Sequence, residues 1–225
     1  MPVSEKTFRQ VALEDPEGQW ELYCGSLRRK PGMSIEHNWF MSQVAFTLML
    51  QLDGTEFDVR SNVGHVHLAT QSYHIPDVFV IPTALQQALW GTRKLEWYSE
   101  PLPLVVEVWS PSTGDYDVET KLHEYQKRGD REIWRLHPYE QTLIAWRRQP
   151  DGSYTETVYR GGAVQPVALA NVAVDLDRLF ALARVRGASA DTESQLVRML
   201  PWITAGQYPA PPAASAPGRA GRGRG

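Results

Sequence analysis

Two carboxylates stand where a folded chain has little use for them. The run YHIPDVFVIP, Tyr73 to Pro82, reads as a buried strand, and Asp77 opens its apolar half directly after a proline. LPLVVEVWSP, Leu102 to Pro111, reads as a second apolar strand with Glu107 inside it. The period of two puts Leu104, Val106 and Val108 on one face and Val105, Glu107 and Trp109 on the other. Both faces are mostly apolar, which marks a central strand covered on both sides. A carboxylate buried there is costly unless it is paired or binds a metal.

Two compensations lie within the chain. Lys121 falls on the helix expected after this strand, at the edge of the face marked by Val118, Leu122 and Tyr125, and could pair with Glu107. Alternatively, Asp77 and Glu107 on neighbouring strands could hold Mg²⁺ or Mn²⁺, since Mg²⁺ is commonly held by one or two carboxylates and keeps waters at its other positions. Such a cation lowers the pKa of a bound water and offsets charge building on a phosphate. A nearby lysine can orient that water and stabilise the anionic transition state. Spacing alone leaves the structural ion pair and the metal site both open.

Other residues give lesser signals. Glu21, on the strand QWELYCG, is either a third acid beside the metal or a surface residue. His37, at a helix start, either contacts a phosphate or caps and packs. Arg28, Arg29 and Lys30 form a compact basic run, echoed by Arg93-Lys94 and Arg147-Arg148, which could hold a nucleic-acid backbone if these residues border one cleft. His65 and His67 share a strand face with His74 nearby, but no third zinc ligand joins them. Cys24 has no base partner, and no GxSxG, P-loop or Rossmann fingerprint occurs.

The elements that must position these residues follow from pattern. A short helix is expected over Thr7 to Leu13, with Thr7 and Gln10 as a capping box. A hairpin follows at QWELYCG and SLRRKP. Ser34 caps a long helix to Leu50, whose apolar stripe is Phe40, Val44 and Leu48. EFDVR and GHVHLAT read as two strands with a turn at Asn62. A helical turn is expected at Thr83 to Leu89, and WGTRKLEWYSEPLP reads as a loop or insertion. Asp117 is expected to cap a helix ending at Arg128 before Gly129. EIWRLHP, TLIAWRR and YTETVYR read as a meander turning at QPDGS, and VDLDRLF as a last helix. The passage from Leu104 to Leu136 is long enough for a strand-helix-strand crossover.

The chain has 225 residues, 42% of them hydrophobic, with a formal net charge of -3. That is enough for a real core and argues against a globally basic coat. One cysteine rules out an internal disulfide and suits a reducing compartment, and no run approaches the ~18 apolar residues of a membrane span. A cytoplasmic protein without membrane contact is expected. The reading divides it into a domain over 1–185, a helical extension over 186–204, and a disordered Ala/Gly/Pro/Arg tail over 205–225.

WELYCG, SIEHNWF, IPDVFV, LVVEVWSPST, DYDVETKLHEYQKRGDREIW and LDRLF, in this order, resemble the Uma2 family of restriction-endonuclease-type proteins, a branch of the PD-(D/E)XK nuclease superfamily. The likeness runs from about Thr7 to Phe180. It implies an α/β fold with a restriction-endonuclease-like core: a mixed central β-sheet flanked by helices, here followed by the C-terminal β-meander. Pro76-Asp77 matches the family's PD and Glu107 the acid of its second half-motif. Where the standard superfamily lysine would follow that acid this chain has Trp109, and Lys121 matches the family's lysine on the next helix. Glu21 falls at the early acidic position and His37 at the first-helix histidine. Two departures are Ser26 after Gly25, in place of Glu, and His137 before Pro138, in place of Asp. The resemblance implies an endonuclease dependent on Mg²⁺ or Mn²⁺ with nucleic acid, DNA foremost, as partner. Asp77, Glu107, Lys121 and Glu21 would be its catalytic residues, and many such nucleases are homodimers. The rival is a nuclease fold kept for binding nucleic acid or protein, with Glu107 and Lys121 as a structural pair.

Overall fold

The strand that carries Glu107 is buried along its whole length and lies inside a six-stranded mixed sheet. The computed structural model describes residues 2–68, 72–92, 94–112 and 114–187, without the side chains at 16, 68 and 114–118. In chain order the elements are α1 (Glu5–Glu14), a 3-10 turn (Pro16–Gly18), β1 (Trp20–Tyr23), β2 (Ser26–Arg29), α2 (Ile35–Gln51), β3 (Phe57–Ser61), β4 (His65–Leu68), β5 (Ser72–His74), β6 (Val78–Pro82), α3 (Thr83–Gln87), β7 (Trp97–Tyr98), β8 (Leu104–Val108), α4 (Gly114–Arg128), β9 (Glu132–His137), β10 (Thr142–Arg148), β11 (Tyr154–Tyr159), β12 (Ala163–Val164), β13 (Val174–Asp175) and α5 (Leu176–Gly187). The expected C-terminal helix and tail lie outside the described residues beyond 187.

The main sheet runs β11-β10-β9-β8-β6-β3. β8 pairs antiparallel with β6 and parallel with β9, and α4 makes the crossover between those parallel strands. The expected meander is β9-β10-β11. The even-numbered side chains of β8 pack with Phe40, Val44 and Leu48 of α2 and with Leu179 and Phe180 of α5. Val105 faces the other way, with Phe79, Ile133 and Tyr125 of α4. Both faces are thus covered, as the two apolar parities of LVVEV require. A second sheet, β2-β1-β5-β4-β7, carries its own cluster of Phe8, Ala12, Leu22 and Tyr73.

Tyr73 to Pro82 is two strands, where one was expected. β5 belongs to the five-stranded sheet and β6 to the six-stranded one. The break is Ile75-Pro76-Asp77: Pro76 has no N–H to give a ladder and restricts the residue before it, so pairing stops and the chain changes sheets. β3 and β4 likewise join different sheets. The turn between them passes Asn62 at φ 53, a left-handed conformation that Asn tolerates better than most residues.

Smaller differences have local causes. α1 is capped by Ser4, whose Oγ accepts the Thr7 amide hydrogen at 3.1 Å, so Thr7 lies inside the helix and Gln10 bonds Glu14 instead of serving a capping box. α2 begins after Ser34 as expected, with the same cap geometry to the His37 amide. α4 starts at Gly114 instead of Asp117 and ends before Gly129, whose φ of 89 suits glycine at that place. The loop expected near Trp90 contains the edge strand β7, parallel to β4.

Candidate active site

Ile75 cannot use either backbone polar group in a sheet, because the chain is changing sheets there. Its N–H donates to Glu21 Oε1 at 2.8 Å, and its carbonyl accepts from Lys30 Nζ at 2.9 Å. Buried backbone groups need partners, so the proline break draws an acid and a lysine from the β1–β2 hairpin to the mouth of the main sheet. Asp77 follows immediately. Its Oδ1 accepts from Lys30 Nζ at 2.8 Å, and its Oδ2 accepts from the Val108 amide at 2.8 Å and lies 2.8 Å from His37 Nε2. Asp77 therefore sits beside the residue that follows Glu107.

Glu107 projects from β8 toward α4. Tyr125 donates its hydroxyl to Glu107 Oε1 at 2.5 Å. Lys121, one helical turn before Tyr125, places Nζ 3.0 Å from Glu21 Oε1 and 3.7 Å from Glu107 Oε1. These side chains are nearly sealed: Glu21 is 7% exposed, Asp77 2%, Glu107 7% and Lys121 8%. Cross-strand register adds His74, since Leu22 opposes Tyr73 in an antiparallel pair and Glu21 therefore neighbours His74 on one face. Both His74 ring nitrogens are buried without a hydrogen-bond partner.

Burial and charge pull these groups apart. Burial disfavours the Glu21 carboxylate, but Lys121, Lys30 and the Ile75 amide together overcome it and hold the pKa down at about 2. Burial also opposes ionised Asp77, and Lys30 and His37 overcome it, keeping this carboxyl well below its usual range. For Glu107 burial wins: with the Asp77 charge adding to it, the pKa is pushed up to about 7 despite Lys121. Burial would discharge Lys121, but Glu107, Glu21 and Asp77 raise it, so it stays an ammonium. Burial lowers His74 to about 4, so its imidazole is neutral at pH 7.

The structure thus brings Asp77, Glu107, Lys121 and Glu21 together. Lys30 and His37, expected on a nucleic-acid backbone, are buried against Asp77. Arg28 and Arg29 are exposed on β2, with Arg28 directly opposite Glu21. The Arg147-Arg148 run does not border this site: Arg147 pairs with buried Glu132, at the end of β9 away from the Glu107 level. Arg93 lies outside the described residues. His65 Nε2 meets the Trp20 carbonyl, and His67 stacks on Tyr73. Sequence reasoning does not bring Asn62 or His74 to the site, and it places Tyr125 on the sheet-facing side of its helix, where the residue is buried and also gives its hydroxyl to Glu107. Tyr125 at one turn after Lys121 was the available signal.

The donor atoms left open here suit only a hard cation that keeps most of its waters. Three carboxylates converge, no hydrogen bond among the described residues reaches Oε2 of Glu21 or Glu107, and the His74 nitrogens are orphaned beside them. Among the described residues no group of three or more His, Cys, Asp or Glu side chains is placed to hold a metal ion, so any cation here would have at most two of these side chains as ligands. Water would have to complete the shell, as is usual for Mg²⁺.

The result is an α/β protein whose mixed sheet carries an acid at a proline break, an acid inside the neighbouring strand and a lysine on the following helix. The model of the Uma2 family, described as "putative restriction endonuclease", matches residues 6–177, and the chain belongs to that family. Among solved structures it is similar to a protein from Anabaena variabilis described as a "putative nuclease belonging to DUF820", at 16% identity and a TM-score of 0.63, over 74% of this chain and 92% of that one. That likeness shows a common fold. No match was found among curated proteins.

Proposed function

We propose that the protein is an endonuclease that hydrolyses phosphodiester bonds in nucleic acid with the help of Mg²⁺ or Mn²⁺. The observation that carries this reading is Lys121 standing between Glu21 and Glu107 while Asp77 is bonded to the amide next to Glu107. Glu107 and Asp77 would hold the cation with Glu21 beside them, and when bound it would supply an acidified water and offset charge on the phosphate. The chain's own residues do the rest. Tyr125 fixes the Glu107 carboxylate through Oε1. Lys121 is kept protonated by the acids around it, and can give a hydrogen to the attacking water or to a phosphate oxygen as charge develops there. The exposed Arg28 and Arg29 lie on the strand beside Glu21, where they can meet a phosphate backbone. We take DNA as the first substrate to test, and a homodimer as the arrangement that would offer one site to each strand.

Among the described residues no helix is long and apolar enough to cross a membrane. Cys24 is a free thiol, which suits a reducing compartment, and we place the protein in the cytoplasm.

A second reading, a nuclease fold retained for binding, is favoured by the full engagement of both Asp77 oxygens with Lys30, His37 and Val108. Calorimetric titration of Mn²⁺ into the wild type and Glu107→Ala separates the two. Binding by the wild type alone supports the metal site; no binding by the wild type, with or without DNA, supports the binding role.

A further inference from the structure

Lys30 is a buried charge with no hydrogen left to give. Its side chain is 2% exposed. Nζ donates to Asn62 Oδ1 at 2.7 Å, to the Ile75 carbonyl at 2.9 Å and to Asp77 Oδ1 at 2.8 Å. An ammonium has three hydrogens and accepts none, so every hydrogen has its own oxygen. The three oxygens come from a left-handed turn residue, a backbone carbonyl freed by the sheet change, and a carboxylate. An amide, a carbonyl and a carboxylate are also the donors that hard metal cations take. Here a lysine fills that set.

The position matters because of what surrounds it. Lys30 acts electrostatically on Glu21 and Glu107 as well as on Asp77. The cluster therefore sets three carboxylates against two ammonium groups, Lys30 and Lys121, with neutral His74 at its side. The imidazole of His37 adds a hydrogen-bonding partner to Asp77 from α2. Lys121 answers Glu21 and Glu107, whereas Lys30 answers Asp77 alone by direct contact. A divalent cation arriving at this site meets a charge already mostly balanced, and one of its ligands is already held by a cation.

We propose that Lys30 is a resident counter-ion of the metal site, holding Asp77 in position and weakening the uptake of a divalent cation by the free protein. This rests on the metal-dependent reading above. Lys30 is a positioning residue, acting on the metal through Asp77. A purely structural role predicts something different: loss of Lys30 would loosen Asp77 and leave metal affinity unchanged or lower.

The test is calorimetric titration of Mn²⁺ alone into the wild type and Lys30→Gln, with the melting temperature of each recorded without and with Mn²⁺. Glutamine keeps an N–H₂ donor for Asp77 or Asn62 and removes the charge. The expected result is a lower melting temperature for Lys30→Gln without metal, together with Mn²⁺ binding at least about tenfold tighter than in the wild type, as removal of a nearby unit charge requires. Uptake by Lys30→Gln but not by the wild type supports the proposal equally. Uptake by the wild type with no gain in Lys30→Gln overturns this inference and leaves the metal-dependent reading standing. No uptake by either protein overturns both. Should Lys30→Gln fail to fold, Lys30→Met fills the lysine stem's volume, lacks the charge and carries the same test.

Discussion

Asp77 Oδ2 accepts the amide hydrogen of Val108 at 2.8 Å, and this bond ties the break between two sheets to the strand that carries Glu107. The site is built around it. Proline stops one strand, the aspartate after it crosses to the next, and Lys30 and His37 complete its shell.

Asp77→Ala should therefore be costly to the fold. It leaves Lys30 with a buried charge lacking its carboxylate and the Val108 amide without its acceptor. Breaking a buried pair from one side costs about 3–5 kcal/mol, and urea unfolding at pH 7 should show a loss of that order. A loss below about 1 kcal/mol would mean that water replaces the carboxylate.

Glu107→Gln should behave in the opposite way. The Glu107 carboxyl rises on folding from its ordinary value of 4.5 to about 7. The folded state then holds a proton that the unfolded state has released, so the wild type loses stability as pH rises across that window. Glu107→Gln carries no such titration and should match or exceed the wild type in stability at pH 8. Glu21 and Asp77 have the reverse sign: their lowered values stabilise the fold above the usual carboxylate range and that stability is lost on acidification. Urea unfolding of both proteins from pH 3 to 8 reads all three. A Glu107→Gln variant markedly weaker than the wild type at pH 8 would favour the structural ion pair.

The same carboxyl makes metal uptake release a proton. A ligand must be ionised to bind, so Mn²⁺ affinity should fall as pH drops from 7 to 5.5, by up to about tenfold per unit when one proton competes. Calorimetry in buffers of different ionisation enthalpy counts the protons. Affinity independent of pH over that range would remove Glu107 from the ligands.

Arg28 is exposed and opposite Glu21 on the neighbouring strand. Arg28→Ala should weaken DNA binding alike for all sequences and reduce the salt slope by about 1, as for a single phosphate contact. An unchanged slope would place the backbone elsewhere.

Much of this was legible in the sequence, for identifiable reasons. LVVEV is apolar at both parities, so its central place and the cost of Glu107 could be read directly, and Lys121 is fixed by helical spacing from Tyr125. What could not be read depends on long-range geometry. Nothing local in Tyr73 to Pro82 says that its halves belong to different sheets. Once they do, Ile75 needs partners, and Glu21 and Lys30 supply them from a hairpin far back in the chain. Lys30 in the run RRK looks like surface charge because its burial is decided by Asn62 and Ile75, distant in sequence. His37 follows the same pattern, a capping position whose ring is taken up by Asp77.

The central claim is tested most directly by incubating the protein with single- and double-stranded DNA in Mn²⁺, beside Glu107→Ala and an EDTA control. The account predicts cleavage by the wild type in Mn²⁺, and none with EDTA or by Glu107→Ala. Cleavage that persists in Glu107→Ala, or survives EDTA, would contradict it.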